Sequence, residues 1–180
     1  LPNYKVFNEF TDPLAIVDPP LQASQDGAFF TVSTGPVSVA ANGFLALQLI
    51  VPANVSRTVY IARFLGGSSV NTTIDFFFNA TFAATGTTLA VVNGNAGISR
   101  ASNTSSRFIT QTTDPTTGGA RLNSIIQPGG PLVVELDGRF IVPSGPAART
   151  FYVRMANNTN QTNLLAANIS FWEAPSSGTS

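Results

Sequence analysis

Apolar residues in this chain come in short β-branched and aromatic runs, and no window of helical length keeps an i, i+3, i+4, i+7 pattern. In Thr58–Phe64 the alternation places Val59, Ile61 and Arg63 on one face and Thr58, Tyr60, Ala62 and Phe64 on the other. In Phe151–Met155 it sets Phe151, Val153 and Met155 against Tyr152 and Arg154. Such alternation predicts sheets with one buried face. The predicted strands are Ala28–Ser33, Val37–Ala41, Phe44–Val51, Thr58–Phe64, Thr73–Phe82, Thr88–Val92, Arg107–Thr112, Leu122–Ile126, Leu132–Leu136, Phe140–Val142, Arg149–Ala156 and Asn168–Trp172. Almost no helix is expected.

Turn chemistry separates these runs: Gly66-Gly67, Asn93-Gly94, Asp114-Pro115, Gly118-Gly119, Pro128-Gly129-Gly130-Pro131 and Pro143-Ser144-Gly145-Pro146. Asp137-Gly138 predicts a two-residue hairpin between the Leu132–Leu136 and Phe140–Val142 runs, because Asp and Gly tolerate the positive φ that a type I′ turn needs. Many short strands at close spacing predict an all-β sandwich. The strand count favours a jelly roll over residues 21–174, with an immunoglobulin-like sandwich as the second choice.

The two ends read differently. Residues 1–20 predict an N-terminal arm and linker: Tyr4, Val6, Phe7 and Phe10 give strand propensity, and Pro19-Pro20 reads as a polyproline-like hinge. Residues 175–180 predict a disordered tail. The chain begins with Leu1, which fits a processed product or a sequence without its true start, and a secreted protein is the expectation that follows.

Composition narrows the chemistry. Of 180 residues 43% are hydrophobic and only 10% charged, with nine basic and nine acidic residues and formal net charge zero. Ordinary globular chains carry about 25% charge. The absence of Cys and His removes disulfides, thiolate nucleophiles, imidazole bases and their metal sites. No catalytic, cofactor or metal site is expected. Without a basic surplus there is little to attract nucleic acid or an anionic membrane, and no apolar run approaches the ~20 residues of a spanning helix.

Four features carry candidate chemistry. An apolar arm on a Pro-rich tether can add a strand to a neighbour's sheet, with Val6, Phe7 and Phe10 filling its core and Tyr4 in support; it can equally pair with its own sheet. Lys5, the only lysine, lies in that arm. Brought beside Asn or Asp and an acid in an apolar site it could form an isopeptide crosslink, or it is simply an exposed, solubilising charge. Seven Asn-X-Ser/Thr sequons begin at Asn54, Asn71, Asn79, Asn103, Asn157, Asn160 and Asn168; they are glycan acceptors or the by-product of an Asn/Ser/Thr-rich composition. The acids Asp75, Asp114, Glu135 and Asp137 do not declare a convergent cation site or a carboxylate pair, and Asp114 and Asp137 sit in turn sequences.

From Gly43 to Glu173 the chain resembles surface proteins of spore-forming Gram-positive bacteria, domains of unassigned function. The resemblance is carried by Thr58–Arg63, Phe78–Thr81, Thr110–Gly119, Ile126–Pro131, Asn163–Leu165 and Phe171–Glu173. A strand-like arm before a jelly-roll body is also similar to the subunits of endospore appendages and other donor-strand-complemented pili, although the crosslinking cysteines of the appendage subunits are missing. The resemblance implies head-to-tail homopolymers at an extracellular cell or spore surface, with surface glycans or a host surface as further contacts. A capsid or decoration protein on the same fold, or a carbohydrate-binding module stacking sugars on Trp172, Tyr60 or Tyr152, are the alternatives.

Overall fold

The computed structural model describes residues 18–176. In chain order these form α1 (Pro19–Gln25), β1 (Phe29–Val39), β2 (Phe44–Val51), β3 (Arg57–Ser68), β4 (Thr72–Phe78), β5 (Thr81–Phe82), β6 (Thr87–Leu89), β7 (Val92–Asn93), β8 (Ser105–Gln111), β9 (Thr116–Thr117), β10 (Ala120–Gln127), β11 (Gly130–Val142), β12 (Arg149–Asn157) and β13 (Asn163–Pro175). The chain is all-β apart from one short helix, as its alternation predicts.

Two antiparallel sheets pack as a sandwich. One has the order β11-β3-β13-β1-β7 and the other β10-β4-β12-β2-β8-β6; β5 and β9 form a separate two-stranded ribbon. The inward residues interdigitate in one core, with Phe30, Phe64, Ile169 and Phe171 from the first sheet and Leu47, Leu49, Phe76, Phe151 and Val153 from the second, all fully buried. Phe64 and Phe76 meet edge-on across the two layers at 5.3 Å, the arrangement the ring quadrupoles favour.

Bulges account for most departures from the sequence reading. In β3, Val59 and Ile61 share the core face, but Phe64 is buried with them and Arg63, predicted on their face, is exposed. Ser170 pairs with Arg63 while Phe171 pairs with Ile61, so Ala62 is an extra residue that reverses the alternation beyond it. Asp137-Gly138 does have positive φ, 49° and 73°, yet the chain does not turn back there. Leu132–Leu136 and Phe140–Val142 are one strand, with Leu136 to Arg139 looped out opposite Ala62. Gly138 is required at this bulge, because a Cβ would overlap the Trp172 ring. The Ala28–Ser33 and Val37–Ala41 runs likewise merge into β1 through a bulge between Ser33 and Pro36. The predicted Thr73–Phe82 strand breaks at Asn79, whose φ is 56°.

The ends also correct the sequence reading. Pro19-Pro20 opens α1 instead of forming an extended linker. Proline costs nothing in the first helical turn, where its missing N–H would have no intrahelical partner. α1 then lays Ala23 on the outer face of the first sheet, against Ala28, Ala62 and Trp172. At the other end β13 includes Pro175, and the Ser176 N–H donates to the Ser56 carbonyl at 3.1 Å, so these two residues belong to the body and not to a loose tail.

Candidate functional site

The aromatic residues singled out as sugar platforms are placed unevenly. Trp172 projects from β13 onto the outer face of the first sheet and stacks with Tyr60 at 5.3 Å and 6° between ring planes. It is only 8% exposed, enclosed by α1 and the Gly138 bulge. Tyr152 lies on the outer face of the second sheet and is fully buried. Neither presents an open ring face to a sugar. A cleft of about 510 Å³ remains between α1 and the first sheet, bordered by Asp18, Phe29, Arg63, Glu135 and Asp137 as well as Trp172.

Tyr152 is buried because residues 79–119 fold back over the second sheet. Phe82 packs on its ring at 6.1 Å, Phe77 meets it edge-on at 5.9 Å, and Thr116 is 3.4 Å from its hydroxyl. Loss of solvation is the main cause that pushes the Tyr152 hydroxyl up to about 12. Beside it, Arg154 donates to Asp75 through Nε at 3.1 Å and Nη2 at 2.6 Å, and its other nitrogen pairs with Asp114. Arg121 approaches Asp75 from the other side at 3.5 Å. The guanidinium of Arg154 also lies over the rings of Phe44 and Phe77. Asp114 therefore does two things: its Oδ1 accepts from the Thr116 N–H at 2.9 Å, as a turn residue would, and its other oxygen fixes the loop to β12. Both Arg154 hydrogen bonds to Asp75 fall on Oδ2, while the buried Oδ1 has no hydrogen-bond partner and only the ion pair to Arg121. Asp137 stays at its bulge near Arg139, and Glu135 borders the α1 cleft.

Sequence reasoning passed over Glu173. It is 2% exposed, accepts from the Ser102 hydroxyl at 2.5 Å and the Asn103 N–H at 2.9 Å, and so pins residues 102–103 to the end of β13. The period of Phe171-Trp172-Glu173 carried the signal, since alternation turns Glu173 inward beside Phe171.

The sequons divide by burial. Asn54, Asn71, Asn79, Asn103 and Asn160 are exposed. Asn79 closes β4 at a bend and is not within a strand. Asn168 is half-buried in β13 and donates to the Leu65 carbonyl at 2.8 Å. Asn157 is 1% exposed, with its amide donating to the carbonyls of Val39, Ala40 and Gln161 and its oxygen accepting from Thr159. Asn157 is thereby a structural bracket between chain segments, unfit to carry a glycan in the folded protein.

The remaining feature is a seam. β10 and β11, joined by the short turn after Gln127, are the edge strands of the two sheets. Their inward residues Leu122, Ile125, Leu132, Val134 and Phe140 are packed against the core yet only half-buried. Large aliphatic side chains on the same strands are open to solvent: Ile126 at 75%, Val133 at 52% and Ile141 at 44%. Tyr4, Lys5, Val6, Phe7 and Phe10 lie outside the described residues. Among the described residues no group of three or more acids gathers as a metal site, and no helix is long and apolar enough to cross a membrane. No family model, curated protein or solved structure matches the chain.

Proposed function

We propose that the protein is a structural subunit of an extracellular fibre or pilus-like appendage, built on a jelly roll and assembled head-to-tail by its N-terminal arm. The jelly-roll reading is supported by strand order: β1-β13-β3-β11 faces β2-β12-β4-β10, the arrangement of two interleaved Greek keys. The observation that carries the assembly reading is the surface itself. A chain with 10% charge leaves Ile126, Val133, Ile141 and Leu164 exposed on its strands, side chains that a free monomer gains nothing from displaying but that copies of the chain can bury in one another.

In this reading residues 1–17 add a strand to the next copy, with Tyr4, Val6, Phe7 and Phe10 as apolar anchors. The contact joins two different surfaces, so it propagates as a filament unless its rotation closes. Lys5 would then sit at the joint, where its amine could attack an Asn or Asp side-chain carbonyl of the neighbouring copy and form an isopeptide bond with loss of ammonia or water. Electron microscopy of the full chain is the test. Open filaments that are lost on deletion of residues 1–17 support the reading; closed shells or discrete trimers would favour a capsid-like role, and filaments that survive the deletion overturn the donor arm. The deletion stops before Asp18 because α1 begins at Pro19 and covers Trp172.

A further inference from the structure

We infer that the seam between β10 and β11 is the receiving groove, and that its occupant is the N-terminal segment, residues 1–17, of a second copy of this chain. The inference rests on the fibre reading above and adds the place of the joint. Four observations converge on this seam.

First, the core is unfinished there. Leu122 and Ile125 on β10 and Leu132, Val134 and Phe140 on β11 have one side against fully buried neighbours and the other half open. Second, the segment outside the described residues has the matching chemistry: Tyr4, Val6, Phe7, Phe10, Leu14 and Ile16 are apolar. Third, charge does not oppose the contact: β10 and β11 present Arg121, Glu135, Asp137 and Arg139, the segment carries Lys5, Glu9 and Asp12, and each side therefore holds both signs. Fourth, the reach is sufficient. Seventeen extended residues span roughly 55 Å, more than the length of β11 at ~3.4 Å per residue, and Asp18 borders the same cleft as Glu135 and Asp137 of β11. The segment therefore leaves one body beside β11 with length to spare for the next.

Bulges leave two uninterrupted runs for it to pair with, Gly130–Glu135 on β11 and Asn123–Gln127 on β10. Elsewhere the main-chain edges are short or broken: β6 and β7 have three and two residues, and β1 is bent at Gly35-Pro36.

Because the chain has no cysteine, introduced cysteines report contact without background. Full-length Val6→Cys chains are mixed with full-length Val134→Cys or Ile125→Cys chains, assembled and mildly oxidised; Val91→Cys, half-buried on the opposite side of the sandwich, is the control. Disulfide-linked dimers joining the two variants are expected at one or both seam positions, in yield roughly tenfold or more above the Val91→Cys mixture. Equal yields at the control, or none at either seam position while filaments form, overturn the seam and leave the fibre reading standing. A Val6→Cys/Val134→Cys double variant that closes only within its own chain, without filaments, overturns both.

Discussion

The two long sides of the sandwich are finished in opposite ways. On one side β1 and β2 would be edge strands, but residues 79–119 return to cover them: β7 pairs with β1 at Phe30 and Thr31, β8 pairs with β2 from Phe44 to Ile50, and β6 adds to β8. The inward residues of β1 and β2 are fully buried as a result, with Phe30, Leu47 and Leu49 at 0% exposure. On the other side no described residue covers β10 and β11 in this way, and their inward residues are half-buried. The chain spends about forty residues closing one seam, which shows that an uncovered edge in this fold has a cost and makes the second, uncovered edge the informative one.

The sharpest way to break this comparison is to remove one Phe from each side. Phe30→Ala on the closed side should lose about 3–5 kcal/mol, the usual loss for a fully buried Phe. Phe140→Ala on the open side should lose about 2 kcal/mol in dilute chain, because only part of its surface is withdrawn from water. Urea unfolding of both variants at low protein concentration measures the difference. Equal losses would mean that the β10–β11 seam is already filled within one chain.

A second, smaller effect tests the closing segment itself. Phe82, Asp114 and Thr116 all belong to residues 79–119 and all surround Tyr152. Burial raises the folded-state pKa of Tyr152 from 10.0 to about 12, so folding favours the neutral phenol. Its stabilising share is complete below pH 10 and is lost as pH climbs toward 12, roughly 2–3 kcal/mol at about 1.4 kcal/mol per unit. Stability measured from pH 9 to 12 should fall in wild type and flatten in Tyr152→Phe. A phenol that titrates near 10 in the folded chain, read by its ultraviolet absorbance, would show that the segment does not close over the sheet.

What was legible in the sequence follows the same division. Strand alternation located nearly every long strand, and Phe151, Val153 and Met155 face the core as their period requires. It could not show bulges, because one extra residue such as Ala62 leaves composition unchanged while reversing every later side chain. It could not distinguish the positive φ of Asp137-Gly138 in a bulge from the same φ in a hairpin; only the partner strand decides that. Alternation sets Tyr152 on the face opposite Phe151 and Val153, but its burial depends on a loop more than thirty residues away in sequence, which no local pattern encodes. Asp114 and Asp137 sit in turn sequences, whereas Asp75 has no local signal and is held by Arg154 and Arg121, a pairing made by register between β4, β10 and β12. The seam was invisible for a related reason. Leu132 and Val134 look like any inward residues of a strand, and only the strand order reveals that no strand of the described residues lies beyond them.

The smallest expected effect bears most directly on that point. Ile126 projects from β10 beside Thr73 and is 75% exposed. If β10 is a true open edge in dilute chain, Ile126→Ser removes apolar surface that is as wet in the folded state as in the unfolded one, and stability should change by no more than about 0.5 kcal/mol. Assembly should respond instead, with a higher concentration needed before filaments form, since only there does Ile126 leave water. A loss of stability well beyond that figure would mean that something already covers Ile126 in the single chain. The two sides of the sandwich would then be closed alike, the first by residues 79–119 and the second by the chain's own N-terminal segment.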